Sequence, residues 1–158
     1  MKVKTHMKFL IALLVATVLC AVPSLAMAIG VGDTFTSGDV TYKVLSNTTA
    51  QVGNGGTTAL VGRDPVAVAA IPSKVTTDGI TYAVTKIGGS AFLGCATLSS
   101  VTIPTAVTSI GDHAFDGCTE LTSVTIPNAV TSIGEYVFYD CEKLTSITIP
   151  SGANRMRN

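Results

Sequence analysis

Cys95, Cys118 and Cys141 recur at intervals of 23 residues, and they are the side chains best placed by type and spacing to do chemistry. Thiols in such a column could form a soft-metal ladder or a disulfide. A disulfide demands a specific Cα separation and side-chain direction, three thiols cannot all pair, and an odd count does not make a scaffold. Zinc sites place cysteines in pairs two to four residues apart, a spacing this chain does not contain. The reading is therefore packing, with three small inert thiols filling equivalent core notches and no metal or other cofactor. His113 stands where neighbouring copies of the same segment have Ser90 and Tyr136, a variable position expected to be exposed. No serine or cysteine has a base at a repeatable spacing and no carboxylates are forced together, so no catalytic residue is assigned and no enzyme is expected. The Gly53-Asn54-Gly55-Gly56 run lacks the Lys-Ser/Thr and the strand-to-helix setting of a phosphate loop, and reads as a loop. Asn47-Thr48-Thr49 fits a glycosylation sequon without further support.

The elements that must position these residues come from a repeat. LSSVTIPTAVTSIGDHAFDGCTE from Leu98 to Glu120 is followed by LTSVTIPNAVTSIGEYVFYDCEK from Leu121 to Lys143, identical at 14 of 23 positions. A third copy begins LTSITIP at Leu144, and half a copy, VTKIGGSAFLGCAT, precedes them from Val84. A fixed period in this range is the mark of a solenoid. Val124-Thr125-Ile126 alternates apolar and polar as a half-buried strand does. Pro127 ends it, because proline cannot donate to a ladder. A second extended piece, Val130 to Ile133, stops at Gly134, which suits a tight corner. Val137, Phe138 and Cys141 fall at i, i+1 and i+4, the spacing of one helical turn. Each copy thus reads as strand, corner, extended piece, corner and helical turn, closing one coil that is stable only against its neighbours.

The string L-x-x-V-x-I-P-x-x-V-x-x-I-G-x-x-x-F-x-x-C resembles the BspA-like, or Treponema-type, leucine-rich repeat. It departs from the generic leucine-rich pattern in having Pro127 and Val130 where an asparagine ladder usually follows the strand. The match covers Val84 to Pro150 closely and reaches back to Val66 through Ile71-Pro72, with Asp78-Gly79 as a hairpin signal in an inserted stretch. The resemblance implies a β-rich α/β solenoid, a short right-handed stack of 23-residue leucine-rich repeats behind a β-rich N-terminal cap. It also implies a secreted or surface protein, several relatives being adhesins toward matrix proteins, other bacteria or epithelial cells.

Residues 1–28 read as a cleaved signal peptide. Lys2, Lys4 and Lys8 precede an apolar run from Phe9 to Val22, and Ala26-Met27-Ala28 supplies the small-x-small site. The alternative is an uncleaved anchor. Lipidation at Cys20 is disfavoured by Leu19, where a lipobox has a small residue. The chain carries ten basic and ten acidic residues. Three of the lysines lie in the leader, which leaves seven bases against ten acids. With no basic run apart from Arg155 and Arg157, binding to nucleic acid or an anionic membrane is not expected, and the mature chain has no membrane span. Export places it outside the cell or at the surface, with the periplasm as the alternative.

Residues 29–83 read as the β-rich cap, with short strands at Thr34 to Thr36, Val40 to Leu45 and Val66 to Val68. Residues 84–150 are the repeats and 151–158 an irregular tail without a cap, where Ala153, Met156 and Arg157 replace Val, Ile and Gly. Two surfaces are candidates for binding. The outward strand face carries Ser100, Thr102, Ser123, Thr125, Ser146 and Thr148, alike in every copy. The variable side carries Tyr136 and Tyr139, aromatics suited to anchoring a partner. A three-strand face covers roughly 250 Å², about a third of a standard interface. The expected function is a non-enzymatic protein–protein interaction module, adhesin-like, toward a host matrix or another cell surface. The alternative is a truncated or structural repeat fragment that self-associates through an uncovered edge at Ile147 and Ile149, without a ligand of its own.

Overall fold

A computed structural model describes residues 29–55, 59 and 68–153. Residues 1–28, where a signal peptide is expected, and Gly56, Val66, Ala67, Arg155, Met156 and Arg157 lie outside the described residues. Where Ser-Val-Thr or Ser-Ile-Thr recurs the chain forms short strands: β7 (Ser100–Thr102), β9 (Ser123–Thr125) and β11 (Ser146–Thr148). They pair in parallel, Ser100 beside Ser123 beside Ser146, an offset of one repeat, and β4 (Val68–Ala70) adds to β7. Alternation puts Val101 and Val124 in the core and Thr102, Thr125 and Thr148 in solvent.

The second extended piece makes a second parallel ladder, β8 (Ser109–Ile110) and β10 (Ser132–Ile133) following β6 (Ile80–Ile87). Its strands continue into the N-terminal segment. β1 (Thr34–Ser37) and β2 (Val40–Ser46) form a hairpin, β2 pairs with β3 (Thr49–Val52), and β3 lies parallel to β6. β5 (Lys74–Thr77) folds back on β6 through Asp78 and Gly79, both left-handed (φ 49° and 75°), as the Asp-Gly signal predicts. Phe35 packs on Tyr42 and Tyr82 at centroid distances of 5.6 and 5.9 Å, which closes the core at this end.

The third side of each coil corrects the expected helical turn. No helix occurs among the described residues, so the α part of the α/β expectation is not met. The spacing of Val137, Phe138 and Cys141 is shared by consecutive tight turns, and the backbone here is bent out of the helical region. Ser90, His113 and Tyr136 all sit at φ 54–55°, and Gly94, Gly117 and Asp140 at 70°, 73° and 49°. N–H groups that a helix would direct back along its own axis are given to the next coil instead. Phe92 donates to Ala114 O (2.7 Å) and Phe115 to Val137 O (2.9 Å). Inside this ladder Phe92, Phe115 and Phe138 stack nearly parallel, with centroids 5.1 and 5.5 Å apart.

Two further columns hold the coils in register. Hydroxyls of Thr122 and Thr145 donate to the carbonyls of Ser99 and Thr122, and those of Thr108 and Thr131 to Thr85 and Thr108, each 23 residues back. These threonines stand in for the asparagine ladder whose absence the sequence shows. Pro104, Pro127 and Pro150 each accept from the residue three further on, so the turn survives at Pro150–Ala153 although the apolar pattern has lapsed there.

Candidate functional site

The strand-face residues are brought together as expected. Ser100, Ser123 and Ser146 are register partners, as are Thr102, Thr125 and Thr148, and all but the half-buried Ser100 are exposed. Across β7, β9 and β11 the surface is uniform, with a hydroxyl at each of these positions and no charge, while β4 brings Val68 and Ala70 into register with Ser100 and Thr102.

The turn side is not uniform. Tyr136 and Tyr139 are 43% and 56% exposed and meet edge to face, with centroids 5.9 Å apart. The His113 side chain is 45% exposed and has two partners. Its Nδ1 lies 2.8 Å from Asp116 Oδ2, and its ring stacks on Tyr136 at 5.2 Å and 16°. The i, i+3 spacing of His113 and Asp116 is visible in the sequence; the left-handed bend that lets them meet is not. Lys143 pairs with Glu120 of the preceding coil at 2.8 Å. A non-glycine residue in the left-handed region costs about 1–2 kcal/mol, a cost that Ser90, His113 and Tyr136 share at one position, while at the other Asp140 stands where Gly94 and Gly117 carry no Cβ.

One concavity escaped the sequence reading. A groove of about 310 Å³ runs along the second ladder, lined by Lys86, Ser109 and Ser132 in register and floored by Gly88, Gly111 and Gly134. Its glycines answer to coil spacing rather than to backbone freedom, since neither Gly111 nor Gly134 has a positive φ. A Cβ on Gly111 would lie 2.5 Å from Gly89 N, and one on Gly134 2.5 Å from Asp112 N. The corner glycine expected at Gly134 is therefore required by close approach of two backbones.

The thiols lie where the column argument puts them and are free. Cys118 Sγ donates to Phe92 O (3.3 Å) and Cys141 Sγ to Phe115 O (3.2 Å), an offset of 26 residues. Burial pushes the Cys95 thiol up to about 11. Burial, then the neighbouring Cys95 and Cys141, raises Cys118 further, and burial raises Cys141 as well. At pH 8 a thiol with a pKa near 11 is ionised in about one molecule in a thousand. A disulfide-exchange dye should therefore label the folded chain far more slowly than the unfolded one; labelling at the rate of a model thiol would contradict this. The sign for stability follows. The folded thiols keep their protons above the pH at which unfolded thiols lose them, so stability is fully present below about pH 8.5 and falls as pH rises toward 11. Thermal melts at pH 8 and pH 10.5 should show the drop.

Among the described residues no group of three or more His, Cys, Asp or Glu is placed to hold a metal ion, and no helix is long and apolar enough to cross a membrane. Ile147 is partly buried against the core on β11, which is paired only with β9 among the described residues, and Ile149, just after the strand, is 37% exposed.

Residues 73–158 match the family described as a BspA type leucine-rich repeat region, in six copies. The chain is similar to a leucine-rich repeat protein from Bacteroides ovatus, at 32% identity and a TM-score of 0.67, over 75% of this chain and 30% of the other. A leucine-rich repeat protein of T. pallidum is 27% identical with a TM-score of 0.61, over 77% of this chain and 52% of its own. The pneumococcal vaccine antigen PcpA shares the fold at 24% identity and a TM-score of 0.56, over 78% and 40%. The chain thus spans about a third to a half of the length of these structures. No curated protein matches it.

Proposed function

The chain belongs to the BspA-type leucine-rich repeat family, and from this we propose that it is an exported, non-enzymatic protein-interaction module acting as an adhesin toward a matrix protein or another cell surface. Residues 29–83 serve as its N-terminal cap. The observation that carries the reading is the division of labour within each coil. Inward columns are filled by apolar side chains that the fold requires, while the outward columns, Ser/Thr on the strand face and Tyr136 with Tyr139 on the turn side, lie outside the buried core. The strand face alone is small for a standard interface, so a partner must span both surfaces or engage more coils than one.

The test is retention of the purified chain on surfaces coated with matrix proteins or with whole bacterial cells. Saturable retention lost on thermal unfolding is expected; failure to bind any coat would overturn the reading. A second reading, self-association through β11, is favoured by the pairing of that strand on one side only among the described residues and by the exposure of Ile149, which follows it. Sedimentation of the same preparation separates the two: a monomer that binds supports the first, and an oligomer that dissociates in Ile147→Lys/Ile149→Lys without binding any coat supports the second.

A further inference from the structure

We infer that the turn face around Tyr136 and Tyr139 docks a basic segment of a partner protein, an extended stretch bearing arginine or lysine. It names the partner's chemistry for that surface and rests on the interaction-module reading above.

Three copies of the same backbone show which residues the fold itself requires here. At the left-handed position they carry Ser90, His113 and Tyr136, three residues on Leu93, Asp116 and Tyr139, and next Gly94, Gly117 and Asp140. The first copy makes the turn with serine, leucine and glycine. The third makes the same turn with two tyrosines and an aspartate, and holds the bulky Tyr136 in the left-handed region, where such residues are uncommon. Neither tyrosine belongs to the core, and both are exposed. Core packing therefore does not account for these residues, since the contacts of Tyr136 with His113 and Tyr139 lie at the surface, and an exposed aromatic pair, rigid and amphipathic, is what a protein partner uses as an anchor.

The charge around the rings selects the partner. Across the second and third copies this side carries Asp112, Asp116, Glu120, Glu135, Asp140 and Glu142, against Lys143 and His113. Lys143 is held by Glu120 and His113 by Asp116, both at 2.8 Å, so the face offers no cation without a carboxylate beside it. Asp140 and Glu142 follow Tyr139 at one and three residues and are exposed. Tyrosine rings present a negative face that attracts guanidinium and ammonium groups, and carboxylates at the rim add hydrogen-bonded charge pairing. A neutral sugar could stack on the same rings but would gain nothing from the acids.

The probe is a dodecapeptide alternating Arg and Ser, with a control carrying Glu in place of Arg, titrated into the full chain and followed by NMR. The Arg peptide is expected to shift the Tyr136 and Tyr139 ring resonances, and its affinity to fall several-fold as salt is raised. Tyr136→Asn/Tyr139→Ala, with asparagine chosen because it tolerates the left-handed backbone, should weaken binding about tenfold or more. Asp140→Asn/Glu142→Gln, which keeps both rings, should do the same. Melting curves of both variants are expected to overlay the wild type. Equal shifts by the two peptides, wild-type affinity in both variants, or a neutral oligosaccharide shifting the rings while the Arg peptide does not would each overturn the inference. If coats retain wild type and variants alike while the Arg peptide is ignored, this inference fails and the module reading stands. If the peptide binds and no coat retains the chain, the surface assignment stands and the adhesin reading fails.

Discussion

Gly111→Ala is expected to destabilise the chain by about 3 kcal/mol, the upper end for overpacking, because the added Cβ meets backbone rather than a movable side chain. It would stand 2.5 Å from Gly89 N and 2.9 Å from Gly88 C and Gly89 Cα. Relief requires the coils to part at the corner, which stretches the Gly111 N–H to Ile87 O bond (2.9 Å) and its neighbour from Gly134 to Ile110 O (2.9 Å). In a stack each coil is stabilised mainly by the next, so one widened junction weakens both halves. A drop in melting temperature of roughly 10 °C follows for a domain of this size. Gly38→Ala is the control. Its φ of 61° imposes a modest cost, but nothing lies within 4 Å of its Cβ. If the two substitutions cost the same, backbone conformation and not coil spacing explains the corner glycine.

Phe115→Ala should cost as much or more, about 3–5 kcal/mol. Phe115 is fully buried, the middle of three stacked rings, and loses both ring contacts at once. Phe138, partly buried and stacked on one side only among the described residues, should cost distinctly less as alanine. Chemical denaturation of the two variants checks the order. Equal losses would mean that the aromatic column is not the continuous core it forms here.

What could be read from the sequence was whatever each copy repeats. The alternation in Ser-Val-Thr fixed the first ladder, the family pattern named the solenoid, and Asp78-Gly79 marked its hairpin. The turn side misled because i, i+1, i+4 spacing describes burial on one face without saying where the N–H groups point; here they point at the next coil. β3 was invisible since Thr49–Val52 has a weak apolar pattern, and its strand character comes from pairing with β2 and β6, the latter more than 30 residues away. Thr108, Thr122, Thr131 and Thr145 carried no signal of their own; their hydroxyl bonds to the previous coil depend on a register that only the stack supplies. Of the candidate site, the strand-face columns and the two tyrosines were legible as variation and constancy between copies. The pairing of His113 with Asp116 and its stacking on Tyr136 were not, since both need the left-handed bend.

The claim at the centre of this account is that inward columns hold the coil stack while outward columns recognise a partner. Affinity for a matrix-protein coat tests it most directly, measured for Thr102→Lys/Thr125→Lys and for Tyr136→Asn/Tyr139→Ala beside the wild type, with melting followed on the same samples. A loss of about tenfold or more in affinity is expected for at least one outward pair, with melting temperatures within about 2 °C of wild type, as surface changes allow. Wild-type affinity in both pairs, or affinity that falls only in step with melting temperature, would contradict it.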